Sequence, residues 1–327
     1  MEVKQTMSDI GGEVRMSKKS MQAVLVNEYG GPNVLKAATV ERPQPQPNEV
    51  LVRIVYAAVI PLDFKIRNGW LQEVFPVTFP YVPGFYASGI VEETGQGVTE
   101  LKPGDRIFGG IRGAYAEYGV ATVQELVKMP DNLTFEDAAA IKAGAEAAWK
   151  ALFTEGELQS GQTVLIHAAA GGVGQFAVQL AKRKGATVIA TASTSNLDFV
   201  KSLGADQVID YTTAHFEDFA QEVDLVVDSV GGETETRSWS VLKKGGILVS
   251  LTQDPSQENA RKHGVTAKFN TKFPTREDLQ SLTELMAEGT IKAEIDSIFP
   301  LSQADKALEK SEARHGRGRI LLNANFI

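Results

Sequence analysis

Between Met21 and Gly144 the apolar positions come in short runs cut by Gly and Pro. Met21–Val26, Val50–Val59, Gly89–Glu92 and Tyr115–Val120 are such runs, and the breaks include Gly30-Gly31-Pro32, Pro43–Pro47 and Lys102-Pro103-Gly104-Asp105. Short strands punctuated by turn residues predict a small barrel or sandwich. The pattern changes near Phe135. Phe135–Leu152 is rich in Ala and poor in breakers, which predicts helix, in one piece or in two around Gly144. From Thr163 the chain alternates. Strands are predicted at Thr163–His167, Ala186–Ala192, Gln207–Ile209, Leu225–Asp228, Ile247–Leu251 and Val265–Phe269, and helices at Val173–Lys184, Leu197–Leu203, Glu233–Leu242 and Thr275–Glu288. Such alternation builds a parallel sheet covered on both faces. The last part reads strand, helix, strand over Ile291–Phe299, Ser302–Glu312 and Arg319–Leu322.

Length adds a domain count to this picture. The chain has 327 residues, more than the roughly 250–300 at which one core stops growing, so two domains are expected. The net charge of −8 argues against nucleic acid as a partner, since phosphate backbones are held by clustered Lys and Arg. The absence of Cys removes disulfides, thiolate nucleophiles and Cys-based zinc sites, and fits a cytoplasmic location. No apolar run reaches the roughly 18 residues that cross a bilayer, so no membrane insertion is expected. Residues 1–20 are polar, lack the apolar stretch of a signal peptide and read as a flexible tail.

The strongest motif is Val164–Gly174, an apolar strand that runs into small residues and then into a helix. Ala169, Gly171 and Gly174 occupy the three small positions of the dinucleotide fingerprint, with Ala in the first. Gly171 and Gly172 let backbone approach a pyrophosphate, and Gly174 lets the helix pack close to the strand. The helix N-terminus adds unpaired N–H groups and a partial positive charge. The alternative is a Gly-rich turn without ligand. His167 at the strand end reads as a packed or hydrogen-bonded histidine, because its neighbours are Ala. An NAD site places an acid about 20 residues on, at the ribose 2′-hydroxyl. Here the second strand is followed by Ser193, Thr194, Ser195 and Asn196. That absence disfavours NAD and favours NADPH, although no Arg or Lys stands beside these residues. The same four residues also read as a turn and helix cap.

The run A-A-A-G-G-V-G-Q-F-A-V-Q-L-A-K resembles the cofactor loop of the medium-chain dehydrogenase/reductase superfamily, whose zinc-free branch often has A-x-x-G-x-x-G. The likeness continues through Ser202–Tyr211, Asp228–Gly232 and Leu242–Ser250, and in the first part through A-A-V-I-P-L-D-F-K-I-R-N-G, P-G-F-Y-A-S-G-I-V and L-K-P-G-D-R-I-F-G. It spans Met21 to Leu322 and is nearest to the zinc-free quinone oxidoreductase and enone reductase branch. It implies an α/β chain with a GroES-like β-barrel substrate domain at 21–144 and 290–327, and a Rossmann doubly wound parallel-sheet domain at 145–289. It implies a homodimer joined through edge strands of the nucleotide domains. By family pattern Ala169, Ala170, Gly171, Gly172, Val173 and Gly174 bind pyrophosphate. Ser193, Thr194, Asn196 and Tyr211 surround the 2′-phosphate, and Val230, Ser250 and Leu251 flank the nicotinamide. Tyr211 also has a plainer reading as a packed strand-end aromatic. Zinc-containing members have Cys at Ile60 and His-Glu at Phe85-Tyr86, so no metal is expected. Zinc-free relatives commonly have Asn at position 60, Asp at 86 and Thr at 147, where this chain has Ile60, Tyr86 and Ala147.

Without a Lewis acid, reduction of an electrophilic acceptor is easier than oxidation of an alcohol. A quinone or an α,β-unsaturated carbonyl accepts hydride when a donor meets its oxygen. Candidate groups are Lys65 and Tyr86, with Asp63 to orient Lys65. The plainer readings are solvated helix residues for Lys65 and Arg67, a cleft wall for Tyr86 and a helix cap for Asp63. A second functional class stays open, a dinucleotide-binding redox sensor or scaffold without turnover.

Overall fold

The computed structural model describes residues 19–272, 275–313 and 316–324. The tail expected at residues 1–20 lies, but for its last two positions, outside them. The chain opens with β1 (Ser20–Val26) and β2 (Leu35–Glu41), paired antiparallel as a small sheet of their own. Next come β3 (Glu49–Val59), α1 (Pro61–Arg67), β4 (Tyr86–Thr94), β5 (Arg106–Gly110), β6 (Tyr118–Thr122) and β7 (Leu126–Lys128). The expected strand at Tyr115–Val120 is shifted, because Tyr115 and Ala116 leave the ladder and bond back to β1. β2, β5 and β7 escaped prediction. Each is short or lacks a sustained alternation of apolar and polar positions.

The Ala-rich stretch forms one continuous helical path that connects the two halves. It passes through α2 (Phe135–Ala140), a π turn at Ile141–Ala145, α3 (Glu146–Trp149) and a second π turn at Lys150–Thr154. Gly144 does not break it. A Cβ there would fall 2.3 Å from the Gly172 carbonyl oxygen and 2.7 Å from the Phe176 ring, so Gly is needed for close approach. The alternating part follows: β8 (Thr163–Ile166), α4 (Gly174–Arg183), β9 (Thr187–Ala192), α5 (Leu197–Ser202), β10 (Gln207–Asp210), β11 (Val223–Asp228), α6 (Glu233–Ser238), β12 (Leu242–Ser250), α7 (Gln257–His263), β13 (Thr266–Phe269) and α8 (Arg276–Ala287). α7 was not predicted. Its sequence, QENARKH, buries only Ala260 and so carries no apolar stripe.

β8 to β13 form a six-stranded parallel sheet in the order β10-β9-β8-β11-β12-β13. In chain order within the sheet this is 3-2-1-4-5-6, the doubly wound arrangement that opens a ligand crevice at the carboxyl ends of β8 and β11, where strand order reverses. The chain ends with β14 (Ile295–Pro300), α9 (Ala304–Glu312) and β15 (Arg319–Asn323). Those two strands join β3, β4, β5 and β7 in a second sheet, ordered β14-β15-β3-β4-β5-β7, with β6 on β3. The fold is α/β, a GroES-like β domain beside a Rossmann sheet. A backbone bond from Gly318 N–H to the Ala170 carbonyl (2.8 Å) fastens the returning segment to the glycine loop.

Candidate cofactor cleft

The loop after β8 is shaped by one strained residue and three small ones. Ala168 takes a left-handed conformation (φ 50°), which costs an L-residue about 1–2 kcal/mol. Ala169, in the first fingerprint position, is spared that strain and sits fully buried. A Cβ on Gly174 would lie 2.4 Å from the Ala168 carbonyl oxygen, so only Gly lets α4 start there. Ala170 is buried too, whereas Gly171, Gly172 and Val173 are half-exposed. The backbone free to meet a ligand is therefore the middle of the loop.

His167 anchors the loop from below. Its Nε2 lies 2.9 Å from Ser238 Oγ, whose own proton goes to the Thr234 carbonyl (2.6 Å), so Nε2 is the donor. Nδ1 then accepts from Thr191 Oγ1 at 3.2 Å. Burial, helped by Arg237, pushes the imidazole down to about 3, and it is neutral at working pH. The sequence reading of a packed, hydrogen-bonded histidine agrees with this geometry.

Arg319, at the start of β15, was not singled out from the sequence. Its guanidinium lies directly behind the loop, and a Cβ on Gly172 would stand 2.5 Å from its Cζ. It donates to the carbonyls of Ala143 (2.7 Å) and Val59 (3.4 Å), and Nε has no partner among the described residues. Burial pulls it down to about 10, against the opposing pull of Asp63, so the charge persists. No residue near it in sequence signals this position. It depends on β15 returning to the sheet of β3 and β4.

Ser193, Thr194, Asn196 and Tyr211 gather where β9 and β10 end. Asn196 Nδ2 donates to Ser193 Oγ (3.1 Å), and Thr194 Oγ1 donates to Asp210 Oδ2 (2.6 Å). Tyr211 is 53% exposed, which sets aside its reading as a packed aromatic. The sequence reading missed Asp210, whose carboxyl is held below the usual range by Thr194 and Thr212. Apart from this group, Arg317 stacks its guanidinium 3.9 Å over the Phe199 ring on α5 and pairs with Glu294 (3.0 Å). Arg317 lies more than a hundred positions further along the chain, so no local signal marks it.

At the switch point Asp228 accepts from Val230 N–H (2.9 Å) and Gly231 N–H (3.0 Å), fixing the loop that presents exposed Val230. Leu251 is half-buried. Ser250 is fully buried, with its Oγ 3.3 Å from Thr252 Oγ1.

Of the candidate catalytic groups, Tyr86 packs with Ile60, Phe85, Ala139 and Ala143. Burial and then the charge of Glu146 push its hydroxyl up to about 12, so it remains an O–H donor. Lys65 is half-buried on α1. Asp63 is corrected from orienting Lys65 to a capping role. It is 1% exposed, and its Oδ2 accepts from Ile60 N–H (2.9 Å) and Tyr115 O–H (2.9 Å). Arg67 is not solvated either. It is fully buried and donates to the Gly30 carbonyl and to Glu312. Among the described residues no group of three or more His, Cys, Asp or Glu could hold a metal ion, and no helix is long and apolar enough to cross a membrane.

Known proteins match this arrangement along nearly the whole chain. The model of the alcohol dehydrogenase GroES-like domain matches residues 46–131, and that of the zinc-binding dehydrogenases matches 203–322. A chloroplastic quinone-oxidoreductase of Triphysaria versicolor is 36% identical over 94% of this chain and 99% of its own. An NADPH-dependent alkenal/one oxidoreductase of Arabidopsis thaliana is 33% identical over 93% of this chain and 80% of its own. The solved quinone oxidoreductase of Coxiella burnetii superimposes with a TM-score of 0.87 at 35% identity, covering 93% of this chain and 99% of that one. With the glycine loop, the strand order and the returning β-strands in agreement, the chain belongs to the medium-chain dehydrogenase/reductase superfamily, among its quinone oxidoreductases.

Proposed function

We propose that this protein reduces quinones or conjugated enones by hydride transfer from NADPH, without a metal. The observation that carries the reading is a phosphate-binding loop at the switch point of the sheet, backed by a buried guanidinium, Arg319, that makes no ion pair among the described residues. The residues fit the cofactor. Half-exposed Gly171 and Gly172 leave room for a pyrophosphate, and an anion there would offset the Arg319 charge. Ser193, Thr194, Asn196 and Tyr211 would hold the 2′-phosphate, and Val230 and Leu251 would face the nicotinamide. NADPH supplies the hydride when bound. The chain's own part is to fix the acceptor and meet the charge that appears on its oxygen.

Support for metal-free chemistry comes from the apolar packing of Ile60, Phe85 and Tyr86, with the neutral Tyr86 hydroxyl among them. Such a donor suffices for acceptors that spread charge over several atoms, and not for a saturated ketone, where it concentrates on one. NADPH oxidation should therefore be measurable with small quinones or enones and nearly absent with matched saturated ketones. Tyr86→Phe should lower kcat about tenfold or more while NADPH affinity stays within about twofold. Equal turnover of a matched saturated ketone overturns the acceptor class, and an unchanged Tyr86→Phe rate removes only the residue. A homodimer formed through the β13 edge and a cytoplasmic location belong to the same proposal. They rest on the open edge strand and on the Cys-free composition.

Cofactor preference has its own test. A carboxylate at position 193 repels a 2′-phosphate yet can accept from a 2′-hydroxyl. Ser193→Asp should raise the Kd for NADPH at least about tenfold more than that for NADH, roughly 1.4 kcal/mol of discrimination. Binding titrations that show equal losses for both cofactors would remove this loop from the 2′-phosphate site.

A further inference from the structure

The helical path between the two halves carries a buried ion pair that the proposed chemistry has not used. The Lys142 ammonium lies 2.7 Å from Glu146 Oε2, and the two side chains are 16% and 7% exposed. The contact lies off the line of a good hydrogen bond. Such a pair contributes little stability, because desolvating both charges offsets most of their attraction. In a stretch this rich in Ala, an apolar residue at either position would cost less. Lys142 also belongs to the π turn Ile141–Ala145, a rare helical form that concentrates at functional sites. Ala139 and Ala143 pack against Ile60, Phe85 and Tyr86, and Lys142 directly precedes Ala143 on the same helical path. Of the neighbouring charges, Glu146 acts most strongly on the Tyr86 hydroxyl.

We propose that Lys142, held by Glu146, is the proton donor for conjugated enones in this cleft, a role that rests on the hydride-transfer reading above. When the β-carbon of the enone gains the hydride and its electron pair, the C=C π pair shifts and charge collects on the carbonyl oxygen. An N–H proton of Lys142 forms an O–H bond there and leaves a neutral amine, which water reprotonates. The enol then becomes the saturated carbonyl in solution, with the acceptor reduced and NADPH oxidised. A quinone needs the donor less, because its charge spreads into the aromatic ring that forms. Glu146 is a positioning residue for this step, since it touches the ammonium and not the acceptor.

The test compares NADPH-driven reduction of a small enone and of a small quinone, with NADPH affinity titrated separately by fluorescence. Lys142→Met should lower enone kcat about 100-fold and quinone kcat less than about fivefold, the effect of losing one donor at a developing oxyanion. NADPH Kd should stay within about twofold. Glu146→Gln should lower enone kcat about tenfold in the otherwise unchanged protein and have no further effect in Lys142→Met, the non-additivity of groups that act as one. The double variant Lys142→Ala with Glu146→Ala removes both members of the pair together and should show the same enone-selective loss. An enone kcat within threefold of the unsubstituted protein in either Lys142 variant overturns the role, as do equal losses for both acceptors. If the unsubstituted protein binds NADPH but turns over neither acceptor, the hydride-transfer reading falls and this role falls with it.

Discussion

Arg319→Met should weaken NADPH binding about 100-fold, roughly 3 kcal/mol, the largest loss of affinity expected from a single side chain here. The guanidinium is sealed between the glycine loop and the helical path, with two carbonyls as its partners and, among the described residues, no contacting carboxylate. A charge held this way has lost most of its hydration. A pyrophosphate on the opposite side of Gly172 would restore the missing countercharge across a thin, poorly screened layer of backbone. The binding energy expected from Arg319 is that restored balance, in addition to the N–H groups of the loop and α4. Met keeps much of the length and removes the charge. The rise in melting temperature that saturating NADPH causes should shrink in proportion to the lost affinity. Arg319→Lys, which restores charge but not the planar fit under Gly172, should fall between the two. An Arg319→Met variant that binds NADPH as the unsubstituted protein does would show that this charge plays no part in phosphate recognition.

The second large effect is on stability, and two buried groups hide it from each other. His167 is pushed down to about 3 from an ordinary 6.5, so its contribution is fully present above 6.5 and is lost as pH falls towards 3. Asp63 is pushed up to about 7 from 3.8, chiefly by burial. Its acid form belongs to the folded state, so that contribution is full below 3.8 and is lost as pH rises through 7. Each slope is about 1.4 kcal/mol per pH unit, with opposite sign. Between pH 3.8 and 6.5 they cancel. Asp63→Asn copies the protonated acid and can still accept from Ile60 N–H and Tyr115 O–H. Its unfolding free energy should therefore drop by roughly 4 kcal/mol as pH falls across that window. His167→Gln should show the reverse, gaining stability on acidification. Urea unfolding at a series of pH values reads both. Parallel curves for Asp63→Asn and the unsubstituted protein would mean that the two carboxyl environments, folded and unfolded, do not differ as burial demands.

What could be read from the sequence was whatever is local. The strand, small-residue loop and helix of Val164–Gly174 form a contiguous signal, and the structure builds them in that order. The alternation from Thr163 onward gave the parallel sheet, because strands buried on both faces are apolar throughout. The Gly144 question could not be answered from one chain position, since the atoms that require Gly belong to Gly172 and Phe176. Arg319 and Arg317 were invisible for the same reason. Each acquires meaning only from contacts with residues far away in the chain. Asp63 was misjudged because a carboxylate near a lysine reads as a pair on paper, whereas Tyr115 and the Ile60 amide take it in three dimensions. Lys142 and Glu146 lay inside a stretch whose Ala content spoke only of helix.

The return of β15 to the sheet of β3 and β4 has a consequence for synthesis. β15 sits between β14 and β3, and Arg319 bonds to Val59 across 260 positions of chain. On a ribosome adding about 5–20 residues per second, β3 emerges roughly 13–50 seconds before its neighbour exists. Through that interval the Tyr56–Val59 end of β3 lacks its native partner, whereas β6 already covers Glu49–Arg53. The Rossmann half needs nothing later than α8 to complete its own sheet. Translation therefore delivers the nucleotide-binding sheet before the β domain is complete, and β15 on its arrival closes that domain and seats Arg319 behind the phosphate loop.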